Sequence, residues 1–222
     1  MGEVTFRFSR SEAARRFRAL PGHEAWGALQ SRTNGVTDEL VLARVHRYSG
    51  SSDREPAFTL TTAEEPVRTL CTVTPQPVAA YSRAAYAVHD GAGRCAGRIV
   101  RGGSSPGIRR QWRIEDEGNR CSAVARKGNI RGWIAYWAFS PLWAVLAVVY
   151  LVGGDLHPGR SLWGKPQRAR WRVRGGDGAR KVGLDFHDGL YRADTGALDA
   201  RLVYTQAVLY GVQVAAGERK SR

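Results

Sequence analysis

The sequence predicts a mainly β protein: a roughly 11–12-stranded antiparallel barrel that encloses a C-terminal apolar helix and carries an apolar helical hairpin as an insertion. Three observations predict it. Short runs with period-two alternation, separated by Gly, Asp, Asn and Pro turns, recur on both sides of one uncharged segment. A stretch near the C-terminus, 198–210, is apolar on nearly all sides when drawn as a helix and so calls for enclosure. At about 13 residues it reaches only roughly 20 Å, short for a bilayer, and a surrounding barrel satisfies both facts. With 222 residues, 43% of them hydrophobic, the chain can bury a sizeable core, which excludes wholesale disorder, collagen-like repeats and disulfide-stapled miniproteins.

Val4, Phe6 and Phe8 open the alternation. Ser9 with Glu12 three residues on forms a capping box, predicting a helix over 9–20 that stops before Pro21-Gly22. Arg10, Arg15, Arg16 and Arg18 make it basic, while Ala13, Ala14, Phe17 and Leu20 can pack; a solvated basic face is preferred to one lying on anionic lipid. Val41/Ala43/Val45, Phe58/Leu60 and Val67/Thr69/Cys71/Val73 supply the next strands. From Ala84, Tyr86 and Val88 alternate up to an Asp90-Gly91 turn, and 95–100 returns. Residues 111–116 place Trp112 and Ile114 on one face, and Glu117-Gly118-Asn119 turns into 121–126. Beyond the uncharged segment come Trp171/Val173, then Val182/Leu184/Phe186, then 189–194, for about eleven strands in one domain over 1–222, a count that by itself suits a barrel or a sandwich.

The uncharged segment, 132–154, reads GWIAYWAFSPLWAVLAVVYLVGG. As one helix its 23 residues would reach roughly 34 Å, enough for the hydrocarbon core of a bilayer. Ser140-Pro141 falls near its middle, so it divides into arms of about 9 and 12 residues that each suit one leaflet. Trp133 and Trp137, four apart, share a helix face; with Trp143, Leu142, Leu146 and Leu151 they suit anchors at a lipid interface. The alternative is a hairpin buried within the protein or in a homo-oligomeric contact through 132–154. Arg126, Lys127 and Arg131 precede the segment and Arg160, Lys165, Arg168 and Arg170 follow it, so the flanking charge favours both ends on one side of a membrane.

The 34 Lys and Arg residues against 20 Asp and Glu give a formal charge of +14, and the pI is near 10.5. Anionic lipid, nucleic acid and acidic proteins all match that charge. Thirty of the basic residues are Arg, a bias that genome composition alone can produce. Cys71, Cys95 and Cys121 form no CxxC pair, which suits a reduced intracellular chain, and no signal peptide or lipidation motif is expected from the first residues. The motifs for chemistry fail. Gly103-Ser104-Ser105-Pro106-Gly107 matches G-x-S-x-G, but a strand pattern follows where a nucleophile elbow needs a helix. Residues 159–165 match the opening of a P-loop, yet Pro166 stands where a hydroxyl must reach magnesium. The five histidines are scattered without metal-ligand spacing, so no cofactor, metal or catalytic residue is expected and an enzyme is the minor reading.

AYAVHDGAGRCAGRIVRG (85–102) and RQWRIEDEGNRCSAVARKG (110–128) each end a strand at an Asp-Gly type turn and begin the next with a small residue. This texture, with a dozen or so strands ahead of an apolar helix, resembles the tubby-like superfamily of tubby C-terminal domains, phospholipid scramblases and plant LURP-one-related proteins, over roughly 80–222. The resemblance implies a closed barrel around the helix 198–210 and association with membranes through phosphoinositide binding or lipid scrambling. A calcium site is not carried over, because Asp185 and Asp188 are too few, and the 132–154 insertion departs from the family pattern. The expectation is a non-enzymatic, cytoplasmic, membrane-associated lipid-binding or scramblase-like protein whose partner is anionic lipid. Trp133, Trp137, Leu142, Trp143, Leu146 and Leu151 would contact the bilayer, and Arg126, Lys127, Arg131, Arg160 and Lys165 the headgroups. Two alternatives remain: a single-pass protein with separate soluble flanks, and a nucleic-acid binder in which Trp112 and Trp171 stack bases between Arg-rich strands.

Overall fold

The computed structural model describes residues 3–10, 17–31, 40–52, 55–78, 82–102, 111–117, 122–127, 168–174 and 180–219, with single positions at 138, 141 and 145. Among them are twelve strands: β1 (Glu3–Ser9), β2 (His23–Ser31), β3 (Val41–Tyr48), β4 (Phe58–Thr62), β5 (Thr69–Gln76), β6 (Ser82–Asp90), β7 (Cys95–Gly102), β8 (Gln111–Asp116), β9 (Ser122–Lys127), β10 (Ala169–Arg174), β11 (Arg180–His187) and β12 (Leu190–Asp194). One long helix, α1 (Ala200–Arg219), follows. Each strand pairs antiparallel with the next in the chain, and β1 pairs with β12, so the sheet closes on itself. Closure removes every exposed edge, the standing liability of a β-sheet.

Eleven of the strands are those the alternation picks out; β2 is the one it misses. Its five consecutive residues from Trp26 to Gln30 are all buried, and its register against β3 slips between Ala25 and Gly27 and again between Leu29 and Gln30. A bulge of this kind erases the period-two signal while keeping the strand paired. The expected helix over 9–20 is not seen in its described part: Ser9 is the last residue of β1, and 17–20 lie outside regular structure. Residues 11–16 fall outside the described residues.

Strands from both flanks of 132–154 belong to the same barrel. β9 and β10 pair directly, with Lys127 opposite Ala169 and Arg126 opposite Arg170. Ala138, Pro141 and Val145 are helical and exposed, and the remainder of 132–154 lies outside the described residues. Among the described residues no helix is long and apolar enough to cross a membrane.

The helix α1 fills the barrel. Asp199 caps it, its carboxylate accepting from the Arg201 backbone N–H at 2.8 Å. Leu202, Val203, Val208, Leu209 and Val212 are buried with Ala207 and Tyr210 in a core shared with every strand. Contacts come from all round: the Tyr210 ring meets Trp112 of β8, Trp171 of β10 and Phe186 of β11, Thr205 meets Cys71 of β5, and the Tyr191 hydroxyl of β12 donates to the Ala207 carbonyl at 2.9 Å. The helix also runs well past the expected end at Tyr210. Gly211 continues it because any Cβ there would lie 2.8 Å from the Phe8 ring of β1; the glycine makes room for a neighbour rather than ending the helix.

Candidate functional site

In a closed antiparallel barrel built strand after strand, alternate connections emerge at alternate ends. Segments 10–22, 49–57, 77–81, 103–110, 128–168 and 188–189 therefore share one end, here the insertion end, and 32–40, 63–68, 91–94, 117–121, 175–179 and 195–199 share the other. The connections at the insertion end contain eleven Lys and Arg against five Asp and Glu; those at the opposite end contain four against seven. The connections at the two ends thus differ in formal charge, +6 against −3, and the connection that contains 132–154 leaves β9 and returns to β10 at the more basic end. Helix α1 starts at the acidic end, where Arg201 lies 3.7 Å from Asp90, and climbs to Phe8 at the basic end.

Two clusters occupy the basic end. At the root of the insertion, Arg168 grips Asp185 of β11 with two hydrogen bonds, at 2.7 and 3.3 Å, and Arg170 reaches the same carboxylate at 3.3 Å. Asp185 faces Arg192 in register on β12, and Arg192 pairs with Glu3 at 2.9 Å. Arg126 stands opposite Arg170 on the other side, so one row in register across four strands runs Arg126, Arg170, Asp185, Arg192. Alternation explains the row: Ala169, Trp171 and Val173 point into the core, which turns Arg170 and Arg172 outward. Across the barrel mouth, the Arg10 and Arg47 guanidinium groups lie 5.0 and 5.6 Å from the Trp26 ring, and Glu24 holds Arg47 at 2.6 Å. Trp26 itself packs down on Phe58 and Phe8 and closes the core beneath this rim.

Of the expected site residues, Arg126 and Lys127 end β9 at the insertion root, with side chains outside the described residues. Arg131, Trp133, Trp137, Leu142, Trp143, Leu146, Leu151, Arg160 and Lys165 all lie outside the described residues, as do the 103–107 and 159–165 motif matches. Trp112 and Trp171, named above as base-stacking residues, are 3% and 0% exposed, because both point inward onto Tyr210. Sequence reasoning missed Trp26, Arg47 and the Asp185 bridge. Only the last left a signal: a carboxylate in KVGLDFHD beside RARWRVR, two strands that pair.

Among the described residues no three His, Cys, Asp or Glu side chains gather as a metal site. Burial pushes the Cys71 thiol up to about 11, against its bond to Thr205, so it is an inert core group. Comparison of the chain with protein-family models, curated proteins and solved structures finds no match.

Proposed function

We propose that the protein is a non-enzymatic, membrane-associated barrel, lipid-binding or scramblase-like, that docks end-on against anionic bilayers. The observation that carries this reading is the coincidence, at one end of the barrel, of the net positive connections and the uncharged 132–154 segment. Each basic residue near an anionic surface contributes ~1 kcal/mol, and Trp and Leu of the insertion would supply the apolar part. The closed barrel with its internal helix supports the tubby-like resemblance at the level of architecture. A single crossing fits poorly, since the direct pairing of β9 with β10 returns the chain to the end it left. The nucleic-acid alternative loses its stacking residues to the core.

Flotation on vesicles containing an anionic lipid tests the reading, using the full chain and a variant lacking 132–154. The intact protein is expected to float and the variant to float much less, with floating reduced by salt. Equal flotation of the two, or none of either, overturns the proposal.

A further inference from the structure

On β3 and β4, Ala43, Val45, Phe58 and Leu60 point into the core, so Arg44, His46, Thr59 and Thr61 point out of the barrel. Yet His46 is 1% exposed, Thr59 4% and Thr61 1%. Residues 17–22, ahead of β2, pack on this outer face. Phe17 sets its ring edge-on against His46 at 5.2 Å, and the Arg44 guanidinium lies 5.7 Å from the centre of the Phe17 ring. His46 shares a 3.1 Å hydrogen bond with Thr61 through Nε2, while its Nδ1 has no partner among the described residues. At the other end of this strap, His23 bonds the Pro21 carbonyl through Nδ1 at 2.8 Å and Thr59 through Nε2 at 3.3 Å, with the Tyr48 ring tilted against it at 4.1 Å.

We propose that residues 17–22 are a strap fastened to the outer wall of the barrel by His46 and His23, and that protonation of His46 releases it. The site suits a neutral imidazole and no other. The charged and titratable groups around it are Arg44 on its own strand and His23 on β2; the nearby Arg47 is already engaged by Glu24, and β4 offers only Thr59 and Thr61. No carboxylate faces His46 among the described residues to compensate a positive imidazolium. Burial, then His23, then Arg44 lower its pKa from 6.5 to about 4. An open strap exposes the ring and restores the ordinary value, so the open state binds more protons. The closed strap is therefore fully favoured above about pH 6.5 and weakened as pH falls towards 4, with the open-to-closed ratio rising on the order of 10–30-fold between pH 7.5 and 5. The strap hangs from the insertion end, where Arg18 is already exposed, so its release frees Arg18 to move towards the surface proposed to meet anionic lipid; this consequence rests on that reading, while the switch itself does not.

Hydrogen exchange of the full chain without lipid, corrected for intrinsic rates, reads the switch. Peptides covering 17–22 and β3 should lose protection between pH 7.5 and 5 while β8 and β9 stay protected. His46→Gln, which keeps a donor for Thr61 but cannot titrate, should hold the strap closed across the range. Phe17→Ala should leave 17–22 unprotected at every pH, which serves as the test should the Gln variant misfold. Unchanged protection of 17–22 in the unmodified chain, or equal loss in His46→Gln, overturns the strap. Flotation on anionic vesicles at pH 7.5 and 5 then separates the two ideas. Acid-strengthened flotation lost in His46→Gln supports the link to membranes; strap opening with unchanged flotation refutes that link alone.

Discussion

A methyl group added at Gly183 would meet the Leu198 side chain at 2.6 Å and Val173 at 2.7 Å, both buried beneath the start of α1. Strand propensity favours alanine over glycine, but only by a fraction of the ~1 kcal/mol that the whole scale spans. Overpacking of a close-packed core costs about 1–3 kcal/mol, so the clash wins. Gly183→Ala is expected to lower the free energy of unfolding in urea by that amount, whereas Gly102→Ala, whose Cβ would meet nothing closer than 3.6 Å, should stay within about 0.5 kcal/mol. An unchanged midpoint for Gly183→Ala would mean that Leu198 and Val173 are not packed tightly against Gly183. Neither role is legible in the sequence, where each is one of 26 glycines. His46 hid for a related reason: in the sequence it alternates with core residues like any outward side chain, and only the strap reveals why an outward residue is buried. Asp185 was closer to legible, because pairing its strand with the Arg-rich one is a local inference.

The elements divide by how their signal arises. Helix α1 announced itself through apolar residues round its whole circumference, and the structure shows them buried on every side. Its length did not, since the apolar run that marks it is read only as far as Tyr210, and the packing of Gly211 against the Phe8 ring is visible only in the structure. Strand β2 carries no alternation because its bulges spend the residues that alternation needs. The energetics of α1 follow from its burial. Leu202, Val203, Val208, Leu209, Tyr210 and Val212 each contribute about 1.5–3 kcal/mol on burial, on the order of 10–15 kcal/mol for the helix and comparable to the whole stability of a domain. A chain ending at Asp199 is thus expected to lose the closed barrel. Near-UV circular dichroism should collapse, and a dye that reports exposed apolar surface should bind; a cooperative unfolding transition retained by this truncation would show that the sheet closes without its filling.

At the scale of the whole molecule, the net charge of +14 is uninformative until the strands have directions. Which residues share an end depends on the count and alternation of the strands. An odd count of eleven cannot close antiparallel, and without β2 the connection from β1 would run on to β3 and the basic segment 10–22 would have no assigned end. With twelve strands the two ends separate by the length of the filled barrel, and α1 alone spans about 30 Å. That is several times the Debye length of about 8 Å at physiological salt, so charges at the acidic end are screened from any surface met by the basic one. The distinction yields a comparison in which total charge is held constant. Reversing Arg109 and Arg110, in the 103–110 connection, and reversing Arg94 and Arg120, in connections at the opposite end, change the net charge equally. Removing two favourable contacts of ~1 kcal/mol each predicts at least ~10-fold weaker binding to anionic vesicles for the first pair and little change for the second. Equal weakening by both would mean that the charge acts as a whole and that the barrel has no preferred end.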